Sequence, residues 1–136
     1  MKTDFTFICD YAEVTRKINA LGIGFDTIYA PKIPCKHPHF FLVIQLRANV
    51  VEAGEKNLEV HLVDEDGNDV IPTLKGKFNI PKTSGVKESI GRIAMRFHNI
   101  EFQKYGLYSI HAVIEGLEMV RIALKVSQPP HTVKPL

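Results

Sequence analysis

The chain has 136 residues and a mass of 15.3 kDa, and it is 45% hydrophobic and 24% charged. That composition fits one domain with an ordinary core, and it excludes both intrinsic disorder and a second independent core. A formal net charge of +2 and an isoelectric point of about 8.5 are too near neutral to predict nucleic-acid or membrane-surface binding, which usually comes with a concentrated basic field.

Period-two alternation, the mark of half-buried strands, dominates the chain. Phe5, Phe7 and Cys9 alternate with Thr6, Ile8 and Asp10, which predicts an opening strand. Val14, Ile18 and Leu21 have helical spacing, but Gly22 and Gly24 would interrupt a helix. Ile23, Phe25, Thr27 and Tyr29 resume the alternation. The reading is a turn near Thr15–Lys17, then a strand in which Gly22 and Gly24 are kinks. Pro31, Pro34 and Pro38 predict an extended loop over residues 30–39, with His37 and His39 bent out of any regular strand. Phe40–Leu46 is apolar on both faces at its start, so it belongs in the middle of a covered sheet. It is the longest strongly apolar run, far short of the roughly 20 residues of a membrane helix.

Ala53-Gly54 marks a turn, and Leu58, Val60 and Leu62 alternate after it. Asp64–Asp69 with Gly67 reads as a tight reversal, with Val70 and Ile71 opening the next strand. Leu74, Gly76, Phe78 and Ile80 predict a further strand, followed by a polar loop over 82–88 with a Ser84-Gly85 tip. A strand is predicted over 90–97, and a final hairpin carries Tyr108, Ile110, Ala112 and Ile114 on one face. Glu115-Gly116 is its turn, and Met119–Val126 returns. The expected fold is an all-β antiparallel sandwich over residues 1–126, with about eight or nine strands and a Pro-rich tail over 127–136. Phe7, Val43 and Ile110 are expected to share its single interior.

Few residues combine into chemistry. Cys9 and Cys35 fit no redox or zinc pattern, and Met1–Phe5 has no secretory leader character; two free thiols in a reducing cytoplasm are expected. Asp64, Asp66, Asn68 and Asp69 offer oxygen ligands, but Glu65 and Gly67 break the spacing of an EF-hand loop, and a hairpin turn accounts for every residue. His37 and His39 could chelate a metal if His61, His98 or His111 converged on them. Lys75, Lys77, Lys82, Lys87, Arg92 and Arg96 form a basic stretch opposed only by Glu88. No nucleophile elbow, phosphate-binding loop, dinucleotide fingerprint or zinc-protease motif occurs. No catalytic residue, cofactor or metal site is therefore assigned.

Lys104–Ile110 resembles the corner of immunoglobulin-like domains, where a Tyr hydroxyl caps backbone at the edge of a sheet. Tyr108 would take that role, although Lys104 stands where the pattern has an acid, and the core Trp and paired Cys of antibody domains are missing. Several stretches together resemble a bacterial family of small uncharacterised proteins: residues 9–14, 17–22, Ala30-Pro31 before His37-Pro38, Glu52–Glu55 leading to Asp64–Gly67, and residues 105–116. That resemblance implies a cytoplasmic sandwich and carries no functional residue with it.

The leading expectation is a non-enzymatic protein-interaction or self-association module, whose contact surface includes Pro31–Pro38. A small-ligand or metal-binding protein using His37 and His39 is the alternative. Nucleic-acid binding through Lys75–Arg96 is a weaker third, and membrane attachment is not expected.

Overall fold

The computed structural model describes residues 1–82, Gly85 and 87–130. Among these residues there are ten strands: β1 (Lys2–Cys9), β2 (Tyr11–Val14), β3 (Ile18–Leu21), β4 (Thr27–Tyr29), β5 (Cys35–Asn49), β6 (Gly54–Asp64), β7 (Leu74–Ile80), β8 (Glu88–Phe102), β9 (Gly106–Ile114) and β10 (Leu117–Ser127). A 3-10 turn, Val50–Glu52, links β5 to β6, and the Asn49 and Glu52 side chains cap each other's backbone N–H. No helix among the described residues is long and apolar enough to cross a membrane.

The strands form three sheets with orders β1-β5-β8, β4-β10-β9-β6-β7 and β2-β3. All pairings are antiparallel except the short β4, which runs parallel to β10. The two larger sheets share one interior. Ile8, Phe40, Leu42, Ile44, Leu46, Ile93 and Phe97 come from the three-stranded sheet, and they pack with Leu58, Val60, Leu62, Ile110, Ala112, Ile114 and Leu124 from the five-stranded one. Phe40 and Phe97 stack with centroids 4.6 Å apart, and both are fully buried. The last hairpin follows its sequence: Glu115 (φ 50°) and Gly116 (φ 80°) make a two-residue turn whose left-handed backbone matches the twist of the strands.

Several expectations need correction. Phe7 and Val43 do not join Ile110. They belong to a second cluster, with Cys9 and Ala12, on the outer face of the three-stranded sheet. The β2-β3 hairpin covers that face, so β5 is buried on both sides. Gly22 (φ 67°) and Gly24 (φ 85°) are turn residues rather than strand kinks, because their left-handed backbone ends β3 and cannot continue a strand. The expected glycine-containing strand exists as two short ones, Ile18–Leu21 and Thr27–Tyr29, separated by that turn. Val70 and Ile71 open no strand: Val70 N–H donates to the Leu62 carbonyl within the reversal, and β7 begins at Leu74. Of the expected Ser84-Gly85 tip, Ser84 lies outside the described residues.

Pro38 lies inside β5, so the expected loop over 30–39 ends at Cys35. The alternation reverses phase there. Cys35 and His37 are half-buried, and the fully buried series resumes at Phe40. β8 reverses at the facing position: Phe97 is buried, then Ile100 and Phe102, with Asn99 at φ 48° between them. His37 pairs with Ile100 and His39 with His98. The matched irregularity lets a proline that cannot donate a ladder hydrogen bond sit in a long strand pair.

Ser127, expected to begin the tail, ends β10, and its carbonyl accepts the Ala30 N–H at 2.8 Å. Residues 131–136 of the expected tail lie outside the described residues.

Candidate functional site

The predicted histidine pair is parted by the strand that carries it. The His37 ring lies against Phe25 and Phe40, while His39 lies against Phe41 of the outer cluster. Burial holds the His37 imidazole below its ordinary pKa, opposed by the nearby Asp10 carboxylate. His61 and His111 face each other across β6 and β9, on the other sheet. His98 alone meets His39, across the β5-β8 ladder, and its ring nitrogens engage Arg96 and Asn99. No group of three or more His, Cys, Asp or Glu among the described residues is arranged to hold a metal ion.

The acidic reversal is built as a turn. Asp64 Oδ1 accepts the N–H groups of Asp66 and Asn68, both at 2.9 Å, and Gly67 takes the positive φ of 82°. Lys104 reaches both Asp64 and Asp66, at 3.4 and 2.9 Å. Those backbone hydrogen bonds, the one from Asn68 first, hold the Asp64 carboxyl below its ordinary pKa. The basic stretch is divided in space. Lys75 and Lys77 point outward from β7, and Lys77 pairs with Glu55 at 3.3 Å. Arg92 lies on the outer face of the three-stranded sheet, where Gln45 accepts from it at 3.0 Å. Gln45 and Arg47 both donate to Asp4, which sits at a register shift in β1. Cys9 and Cys35 are free thiols, and burial raises both above the ordinary pKa, which lowers thiolate reactivity.

The corner reading of Tyr108 has its geometry: the buried hydroxyl donates to the Lys104 carbonyl at 2.6 Å. Tyr105 adds a second tie, donating to the Ala30 carbonyl at 2.8 Å. The first bond closes the crossing from β8 to β9 on itself, and the second ties that crossing to the end of β4.

Two features escaped sequence reasoning. The first is main chain. β8 is 15 residues long, and among the described residues β5 alone pairs with it. Near Gly91 its inner face is tight against β7, where an added Cβ would meet the Ile80 side chain at 3.1 Å. Toward Phe97 the two separate, leaving a cavity of about 410 Å³ whose walls include Ile71, Leu74, Arg96, Phe97 and Ile100. The second is a polar chain on the outer face of the five-stranded sheet. Ser109 Oγ lies 2.7 Å from His111 Nε2, and Glu118 Oε1 lies 2.5 Å from His111 Nδ1. The only advance signal was Ser-x-His on a strand. Glu118 reaches the same imidazole because it pairs with Val113 and so lies diagonally beside His111 on one face of the sheet.

The comparison with curated proteins finds no match. Among solved structures, the chain is similar to the Pseudomonas fluorescens alkylpurine DNA glycosylase AlkC bound to DNA containing an abasic-site analogue, at 11% identity and a TM-score of 0.42. That likeness covers 74% of this chain and 27% of the glycosylase, so the chain spans little more than a quarter of that protein's length. The match to a family model is far more extensive, running from residue 4 to residue 127 with strands β2 to β10 whole within it and nearly all of β1. The chain belongs to this family, a family of unknown function designated DUF6941.

Proposed function

We propose that this domain is a protein-interaction module that accepts an extended segment of a partner along the open edge of β8. The carrying observation is that edge: a long strand paired, among the described residues, on one side, with a cavity between its Phe97–Ile100 part and Ile71–Leu74. Unpaired strand N–H and C=O groups template another strand, and a partner that supplies it converts solvent hydrogen bonds into a ladder. Ile71 and Leu74 give the incoming strand an apolar wall, and Arg96 at the rim favours a segment that also carries an acidic residue. The edge takes the place of the Pro31–Pro38 loop as the expected contact surface, because β5 absorbs Cys35–Pro38.

An immunoglobulin-like sandwich is the matching fold reading, supported by the Tyr108–Lys104 corner bond. A reducing cytoplasmic setting is supported by two thiols that remain unpaired. The assignment as a binder rather than an enzyme rests on the absence of any recognised catalytic motif in the sequence.

The test uses immobilised full-length chain and hydrogen exchange on whatever partner complex it isolates. The bound partner is expected to slow amide exchange over residues 96–100, and Ile71→Arg to weaken retention by about tenfold or more. A partner that protects other strands and is indifferent to Ile71→Arg displaces the site. A chain that is monomeric by light scattering and retains no protein removes the reading altogether.

A further inference from the structure

We propose that Ser109 is a base-activated nucleophile, deprotonated by His111 and positioned through Glu118, which accepts the acyl group of an activated ester. This lies beyond the interaction reading, on the opposite sheet from the β8 edge.

The proton positions follow from chemistry. The His111–Glu118 hydrogen bond, with Arg121 adding its charge, holds the Glu118 carboxyl below its ordinary pKa. An ionised carboxylate can only accept, so His111 Nδ1 carries the proton. In a neutral imidazole that leaves Nε2 as an acceptor, and the Ser109 hydroxyl must donate to it at 2.7 Å. Nucleophile, base and orienting carboxylate then stand in the order that general-base activation of a serine requires. Ser109 and His111 alternate with the buried Tyr108, Ile110 and Ala112, so both side chains point out of the sheet, where an ester can approach. His61, opposite His111, has its own partners in Thr73 at 3.1 Å and Glu59 at 3.5 Å.

In the step, Ser109 Oγ attacks the ester carbonyl carbon, the Ser109 proton passes to His111 Nε2, and the carbon–oxygen bond to the leaving group breaks. The leaving group departs as an alkoxide or phenolate, or as the alcohol after taking the proton from His111. Strand β9 is paired on both sides, so its backbone N–H groups beside Ser109 are held in ladders and do not form an oxyanion hole. Such donors account for roughly 10²–10³ in rate. Both acylation and hydrolysis lose that factor, but the good leaving group of an activated ester offsets it only in the first step. The alkyl ester left on Ser109 is therefore released slowly, and the modification is stoichiometric rather than turned over.

The probe is p-nitrophenyl acetate, with nitrophenolate release followed against peptide mass spectrometry. The full-length chain is expected to release one equivalent in a burst and to carry acetyl on Ser109, with no burst in Ser109→Ala. His111→Gln and His111→Ala are expected to slow acetylation of Ser109 by about 10² or more, and Glu118→Gln by less. Thermal unfolding of each variant separates loss of activation from loss of fold, and the two His111 variants provide two chances of a folded one. Acetyl on lysines alone overturns the assignment, as does an unchanged rate at Ser109 in a folded His111 variant.

Discussion

The two sheets solve the same packing problem in different ways. The five-stranded sheet buries one face and solvates the other, so β9 alternates strictly between buried residues and Leu107, Ser109, His111 and Val113. The three-stranded sheet buries parts of both faces: Phe40, Leu42 and Ile44 point inward, while Val43 and Cys9 lie under the β2-β3 hairpin. A narrower sheet has fewer inward positions, and a second, local apolar cluster adds burial at small cost in chain length. The difference also appears at the edges. The five-stranded sheet ends in a three-residue β4 and in β7 with its outward lysines, whereas the other ends in the long, one-sided β8.

The largest expected effect tests whether the shared interior dominates. Phe97→Ala removes a ring stacked on Phe40 deep between the sheets and is expected to cost about 3–5 kcal/mol. Val43→Ala, equally buried but in the outer cluster, is expected to cost about 1–2 kcal/mol, because two methyl-sized groups are lost where the hairpin can settle inward. Denaturant unfolding of both variants checks the ranking. If the Val43 variant is hit as hard as the Phe97 one, the outer cluster is a second core rather than a satellite.

This asymmetry explains what was legible in the sequence. Alternation locates a strand, and where only one face is buried it also assigns the faces, as at Tyr108–Ile114. It cannot say which of two apolar faces meets the other sheet, and so Phe7 and Val43 were placed in the wrong cluster. It fails again where phase reverses, since Pro38 and Asn99 break the period at facing positions and hide that β5 starts at Cys35 and β8 ends at Phe102. Site features were less legible still. The open edge of β8 depends on which strands pair with it, a property of topology rather than of any residue. The Ser109–His111–Glu118 chain depends on the cross-strand pairing of Glu118 with Val113, which places a carboxylate seven residues away in sequence beside His111.

A smaller effect probes the crossing that joins the two sheets. Tyr108→Phe keeps the ring against Phe102, at 5.0 Å between centroids, and leaves the Lys104 carbonyl without its partner. The expected loss is about 1–2 kcal/mol, the range for one partly buried hydrogen bond with its desolvated acceptor. Phe102→Ala in the same denaturant series is expected to lose more, since it deletes a fully buried ring. A Tyr108→Phe loss equal to that of Phe102→Ala would make the corner bond, rather than packing, the main tie at this crossing.

The smallest effect is a slope rather than a loss. The folded state holds His37 below its ordinary pKa, chiefly through burial, against the opposing pull of Asp10 and with His39 close by. Lowering pH through about 6.5 protonates this imidazole in the unfolded chain first. The unfolded state then binds more protons than the native one, and the stability present above that pH declines toward the lower folded pKa. His37→Gln removes the titrating group and should flatten this part of the stability curve relative to the parent chain. Unfolding midpoints at pH values on both sides of the His range measure both curves. An unchanged slope in His37→Gln would mean that burial of this imidazole does not carry the pH dependence of the fold.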